Sequence, residues 1–144
     1  DKIVIDASVA LKWQFRDELE IEQAIHILGD FIDGKTELIS PTLFAYEIVN
    51  AVHIAVVKKR IPEKEGLAAV NDILAVGIKL IDFAELAEST FNIAQNYKRS
   101  AYDSAYLSLA EKEGCVMYTA DKHLFNALKN NIKFIKWVGD YTVK

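Results

Sequence analysis

Two aspartates, Asp103 and Asp121, bracket the stretch AYDSAYLSLAEKEGCVMYTAD, and their spacing is the first sign of chemistry. The stretch reads as a helix, a tight turn at Gly114 and a strand from Cys115 to Thr119. A helix of about twelve residues rises roughly 18 Å, and a strand of five spans roughly 17 Å. The two legs match. In a parallel α/β unit both acids therefore return to one sheet edge, at the carboxyl ends of the strands, where open α/β sheets bind ligands. Two carboxylates brought together there repel each other unless a proton or a cation intervenes.

Two further acids point to the same edge. Asp6 closes the first apolar run, KIVID, and Glu47 lies on a helix that begins directly after a strand. The neighbours of Glu47 at three and four positions are Leu43, Phe44, Asn50 and Ala51, largely an apolar stripe. Burying an unpaired carboxylate there costs several kcal/mol or raises its pKa. Each acid alone has an ordinary reading. Asp6 suits a turn or cap, Asp103 completes a capping box with Ser100, Asp121 can cap the helix after it, and Glu47 can reach water from the stripe's edge. Four acids from four segments meeting at one edge are harder to explain that way. Such a cluster of hard oxygen ligands is what Mg²⁺ or Mn²⁺ requires. His26, His53 and His123 have no zinc-like spacing, and neither a phosphate-binding glycine loop nor a serine nucleophile elbow occurs.

The elements that must position these acids follow from the apolar pattern. Lys2 to Asp6 reads as a buried strand, with a short helix in VALKWQF after it. Asp17 can cap a second helix with Ile21, Ala24, Ile25, Leu28, Phe31 and Ile32 inward, ended by Gly34. Glu37 to Ser40 is a strand, and Pro41 suits the first turn of a helix running to about Lys59. Pro62, Glu63 and Glu65 open another helix that ends near Gly77. Ile78 to Ile81 is a third strand, followed by an amphipathic helix from Ala84 to about Lys98. Lys122 to Leu128 is a short helix, and Ile132 to Lys136 a last strand whose lysines suit an edge. Strands alternating with helices predict a parallel sheet with helices on both faces. The two helices between the second and third strands can stand away as a hairpin. Val52, Ala55, Val56 and Ile61 would give it apolar surface for a partner.

With 144 residues and about half of them hydrophobic, the chain is expected to form one domain, residues 1–144. The apolar run AVHIAVV is too short to span a membrane and holds His53. No signal segment is recognisable, and the single Cys115 permits no disulfide within the chain, so a cytoplasmic setting is expected. Cys115 itself reads as a small buried hydrophobe. The net charge of −4 argues against nucleic acid as a partner, so local charge would have to carry such binding.

The runs VIDASVALKW, PTLFAYEIVNAV, AYDSAYLSLAEKEG and YTAD, in this order, resemble a PIN domain of the VapC toxin type, and the resemblance covers nearly the whole chain. It implies a three-layer α/β/α sandwich with a central parallel sheet, and a metal-dependent endoribonuclease. The family's acid quartet maps onto Asp6, Glu47, Asp103 and Asp121. Asp6 and Asp103 would bind Mg²⁺ or Mn²⁺ directly, with Glu47 and Asp121 holding a second ion or waters. Ser8 and Thr119 would orient a carboxylate or water, and Asn50 stands where many such sequences have asparagine. Lys12, Arg16, Lys98, Arg99 and Lys122 flank the edge and could contact phosphates of an RNA substrate, or simply be solvated charges. Trp13 and Phe15 suit packing better than base stacking. The resemblance further implies a small antitoxin over the acidic site and a homodimer. A binding module that keeps the fold without turnover is the main alternative. A receiver-type signalling domain, with Asp82 as phosphoacceptor, leaves Glu47 and Asp121 unexplained.

Overall fold

The structure, a computed structural model, describes residues 1–17 and 19–144. Five parallel strands form its sheet: β1 (Lys2–Ile5), β2 (Glu37–Pro41), β3 (Lys79–Ile81), β4 (Val116–Thr119) and β5 (Ile135–Trp137), in the order β3-β2-β1-β4-β5. Val4, Ile5, Leu38, Ile39 and Met117 are fully or almost fully buried, as expected for strands covered on both faces. The chain moves outward from β1 to β3, then returns to place β4 on the other side of β1. Right-handed crossovers put the helices of these two journeys on opposite faces, giving three layers. The reversal between β1 and β4 leaves a crevice at the carboxyl ends of those strands.

Among the described residues, seven α-helices connect the strands: α1 (Ala7–Leu11), α2 (Ile21–Ile32), α3 (Leu43–Val57), α4 (Glu63–Leu74), α5 (Ala87–Tyr97), α6 (Ala101–Glu113) and α7 (Lys122–Leu128). The central one is α6. Ser104 through Ala110 are all buried, and the helix packs against α5, β1, β2 and β4. Ser100 caps it by accepting the Asp103 backbone N–H, and Gly114 ends it at φ 60°, a left-handed conformation that glycine adopts without strain. The expected helix–turn–strand stretch is thus present, with β4 starting one residue late.

Several boundaries differ. Pro41 ends β2 rather than opening α3, whose cap position is Thr42; the strand stops at the residue without an N–H, and the Thr42 N–H makes the next bond to β3, at the Ile81 carbonyl, at 3.0 Å. Asp17 does not cap α2. That position belongs to Glu20, and Asp17 instead takes a 2.6 Å bond from Arg60. The inward face of α2 centres on Ala24 and Ile27. Ile32 lies about 140° around the helix from Ile27 and is 71% exposed. The last strand begins at Ile135, not Ile132, because pairing with β4 starts at Met117↔Ile135 and Ile132 is buried in the preceding turn. The helix expected from Ala84 opens as a 3-10 turn, Phe83–Glu85, before α5.

Helices α3 and α4 pack together as the expected hairpin, but Phe44, Ile48 and Ile73 tie it into the main core rather than letting it stand away, and its outward surface is not the expected one. Val52 and Ala55 are buried with Phe15 in a second small core, packed by Leu11, Ile61 and Val70. The outward apolar residues are Tyr46, Val49, Ile54 and Val57 on α3 and Leu67 and Leu74 on α4. Trp13 joins the main core, its indole N–H donating to the Ala24 carbonyl at 2.8 Å. Cys115 is half-buried, and burial pushes its thiol pKa up. Among the described residues, no helix is long and apolar enough to cross a membrane.

Candidate active site

Strand β1 delivers Asp6 to the crevice, and β4, its neighbour, delivers Thr119 and Asp121. Register pairs Ile5 with Tyr118, so Asp6 and Thr119 follow side by side. Asp6 is 6% exposed, and both carboxylate oxygens are engaged. Ser8 Oγ and the Val9 backbone N–H donate to Oδ1, and Thr119 Oγ1 donates to Oδ2 at 2.5 Å. The hydroxyls are themselves anchored: the Ala120 N–H donates to Ser8 Oγ at 2.9 Å and the Asp121 N–H to Thr119 Oγ1 at 3.0 Å. Burial raises the Asp6 pKa to about 7, although Ser8, Thr119 and Val9 all act to lower it and only Glu47 adds to the rise.

The other acids come from helix starts and a helix face. Glu47 sits on α3 beside the buried stripe Phe44, Ile48 and Val52. Glu47, Asn50, Ala51 and Ile54 follow helical spacing and line one wall of the cavity. Burial pushes the Glu47 pKa up, opposed by a bond from Tyr106 and assisted by the charge of Asp103. Asp103, in the first turn of α6, accepts from Arg99 Nη2 at 3.0 Å. Asp121 caps α7 by accepting the Leu124 N–H at 3.1 Å. The ordinary cap roles of Asp6 and Asp121 are therefore real, and they coexist with a shared location.

That location is a cavity of about 260 Å³ lined by Asp6, Ser8, Glu47, Asn50, Asp103 and Asp121, with Tyr106 and small apolar groups. All four acids face it. Its polar donors are oxygens, the set that suits Mg²⁺ or Mn²⁺, and a buried carboxylate with a raised pKa is one that gains from a cation. The donor chemistry fits such an ion. Among the described residues, however, no three His, Cys, Asp or Glu side chains are gathered closely enough to hold one as they stand. Three of the acids are instead bonded by the side chains around them: Asp103 by Arg99, Glu47 by Tyr106, and Asp6 by Ser8 and Thr119.

The basic residues do not line the cavity. Lys12 departs from expectation: it is buried, and its ammonium donates to the Leu19 carbonyl at 2.6 Å, because the short α1 turns it beneath the chain's own loop. Arg16 is exposed and donates from Nε to the Trp13 carbonyl at 2.8 Å. Arg99 is half-buried against Asp103, with Nε lacking a hydrogen-bond partner. Lys98 and Lys122 are exposed, at the end of α5 and the start of α7. Asp82 caps the 3-10 turn after β3, accepting the Ala84 N–H, and is not part of the cavity.

Comparisons with known proteins agree with this architecture. The PIN domain family model matches residues 3–130. Ribonuclease VapC12 of Mycobacterium tuberculosis is 25% identical over 129 residues, spanning 90% of this chain and 94% of that protein. Ribonuclease VapC3 of Pyrobaculum aerophilum is 29% identical over 125 residues, spanning 85% of this chain and 92% of that protein. The crystal structure of PAE2754 from Pyrobaculum aerophilum superposes with a TM-score of 0.69 at 20% identity, covering 95% of this chain and 90% of that one, a likeness of fold.

Proposed function

Since this chain belongs to the PIN domain family, we propose that it is a divalent-metal-dependent endoribonuclease of the VapC type, with residues 1–144 acting as one nuclease domain. The observation that carries the reading is the convergence of Asp6, Glu47, Asp103 and Asp121 on one cavity beside the β1/β4 reversal. The two relatives named as ribonucleases, matched over most of their length, support RNA as the substrate.

Asp6 and Asp103 would hold Mg²⁺ or Mn²⁺, and Glu47 and Asp121 a second ion or ordered waters. Such an ion supplies Lewis acidity that activates water and neutralises charge on the phosphodiester. The chain's own residues do the rest. Ser8 and Thr119 fix both oxygens of Asp6, so its carboxylate meets the cavity already oriented. Asn50 and the small Ala7 and Ala51 leave room for a phosphate between α1 and α3. Arg99, the residue before the α6 cap, would have to release Asp103 for that carboxylate to hold an ion, and the freed guanidinium would be a partner for a phosphate oxygen. Lys98 and Lys122, exposed on either side, and Arg16 farther out would draw the RNA backbone toward an otherwise acidic cavity.

Family resemblance also supports a cytoplasmic toxin held by a small antitoxin, and a homodimer. The exposed Tyr46, Val49, Ile54 and Val57 on α3 offer the apolar surface for such contacts. One observation favours the non-catalytic alternative: the Arg99–Asp103 pair already neutralises one acid without a metal. Incubation with total cellular RNA in Mg²⁺, Mn²⁺ or EDTA separates the two. The proposal expects discrete cleavage fragments with metal and none with EDTA; intact RNA under every condition would favour the binding module.

A further inference from the structure

Tyr106 was not singled out by its sequence, yet it holds one of the four acids. The residue is 2% exposed, and its hydroxyl donates to Glu47 Oε1 at 2.5 Å across 59 residues of chain. A phenol has one proton to give and lone pairs to receive. Here the proton goes to the carboxylate. One oxygen thus joins α6, which carries Asp103, to α3, which carries Glu47.

A partly exposed glutamate on a cavity wall has rotamer freedom that ordering it must suppress. Tyr106 suppresses it from a rigid, buried ring on the best-packed helix. Ser8 and Thr119 hold Asp6 by the same device, hydroxyl to carboxylate. We infer that Tyr106 is the positioning residue for Glu47, its hydroxyl aiming that carboxylate at the cation-binding cavity. The inference rests on the reading of the cavity as a divalent-metal site.

Tyr106→Phe keeps the ring and removes only the hydroxyl. Calorimetric Mn²⁺ titrations of the full chain, at one pH, would compare the parent, Tyr106→Phe, Glu47→Gln and the double variant. Tyr106→Phe is expected to weaken Mn²⁺ binding about 10–100-fold, and Glu47→Gln at least as much. The double variant should bind no more weakly than Glu47→Gln alone, because the hydroxyl no longer has a carboxylate to aim. A hydroxyl that only supports the fold would instead weaken both backgrounds equally, and that additivity overturns the inference. So does unchanged binding in Tyr106→Phe when Glu47→Gln has lost affinity, or loss of the Tyr106→Phe fold by circular dichroism. A parent that binds no Mn²⁺, or a Glu47→Gln variant that binds like the parent, overturns the metal reading on which the inference stands.

Discussion

Asp6 shows at the scale of a residue how a cap and a candidate ligand coexist. Its carboxyl starts α1, yet burial raises its pKa from the ordinary 3.8 to about 7. Between those values the folded chain holds a proton that the unfolded chain releases. The stabilisation is therefore complete below about pH 4 and lost as pH rises through about 7, with an upper limit on the order of 4 kcal/mol. Glu47 shifts in the same direction. Metal-free melting temperature should accordingly fall between pH 5 and pH 8, and Asp6→Asn should flatten that slope; a variant with the parent's slope would place the titration elsewhere. The four acids were legible because carboxylates stand out where apolar runs end or a stripe is interrupted. Tyr106 was not, since in AYDSAYLSLA it reads as one more core aromatic. Its place three residues after Asp103, on the same helix face, was the available signal.

At the scale of elements, the alternation of strands and helices was legible throughout, and so was the matched pair α6 and β4. What escaped was phase and register. Ile27 and Ile32 are equally apolar, and only the packing of α2 against the main core decides which is inside. The start of β5 is set by its pairing with β4, which no local pattern in IKFIK records. The α3–α4 hairpin was foreseen, but not its closeness at Gly66. A Cβ there would meet Val56 Cγ2 at 2.7 Å and Val52 Cγ1 at 3.3 Å. Alanine gains about 1 kcal/mol in helix propensity over glycine, whereas overpacking costs about 1–3 kcal/mol. Both clashing groups belong to β-branched side chains, stiff at χ1, so the clash should win. Gly66→Ala is expected to lower the urea midpoint by a net loss of about 1 kcal/mol while Mn²⁺ binding by the folded protein stays at the parent value. A raised midpoint would show that the hairpin yields.

At the scale of the whole molecule, a net charge of −4 and an acidic cavity must be reconciled with an RNA substrate and with partners. Tyr46 is 76% exposed and Val57 64%, on the helix that carries Glu47. Light scattering at high concentration should report a dimer, and Tyr46→Asp should shift it toward monomer; a monomeric parent would leave this surface to an antitoxin. The central claim, that the four acids form a metal site for RNA cleavage rather than a set of caps, is tested most directly by Asp6→Asn and Asp103→Asn. Asparagine caps as well as aspartate, so caps alone predict near-parent behaviour in every assay. A metal site predicts metal-free stability at or above the parent's for Asp6→Asn, because the cost of a buried carboxylate and its repulsion by Glu47 are relieved, while Asp103→Asn gives up the ion pair with Arg99. It also predicts loss of the Mn²⁺-induced rise in melting temperature and collapse of RNA cleavage. Cleavage and metal-free unfolding should be measured on the same preparations: both variants should stay folded and lose cleavage, and variants that cut RNA at the parent rate would contradict the proposed site.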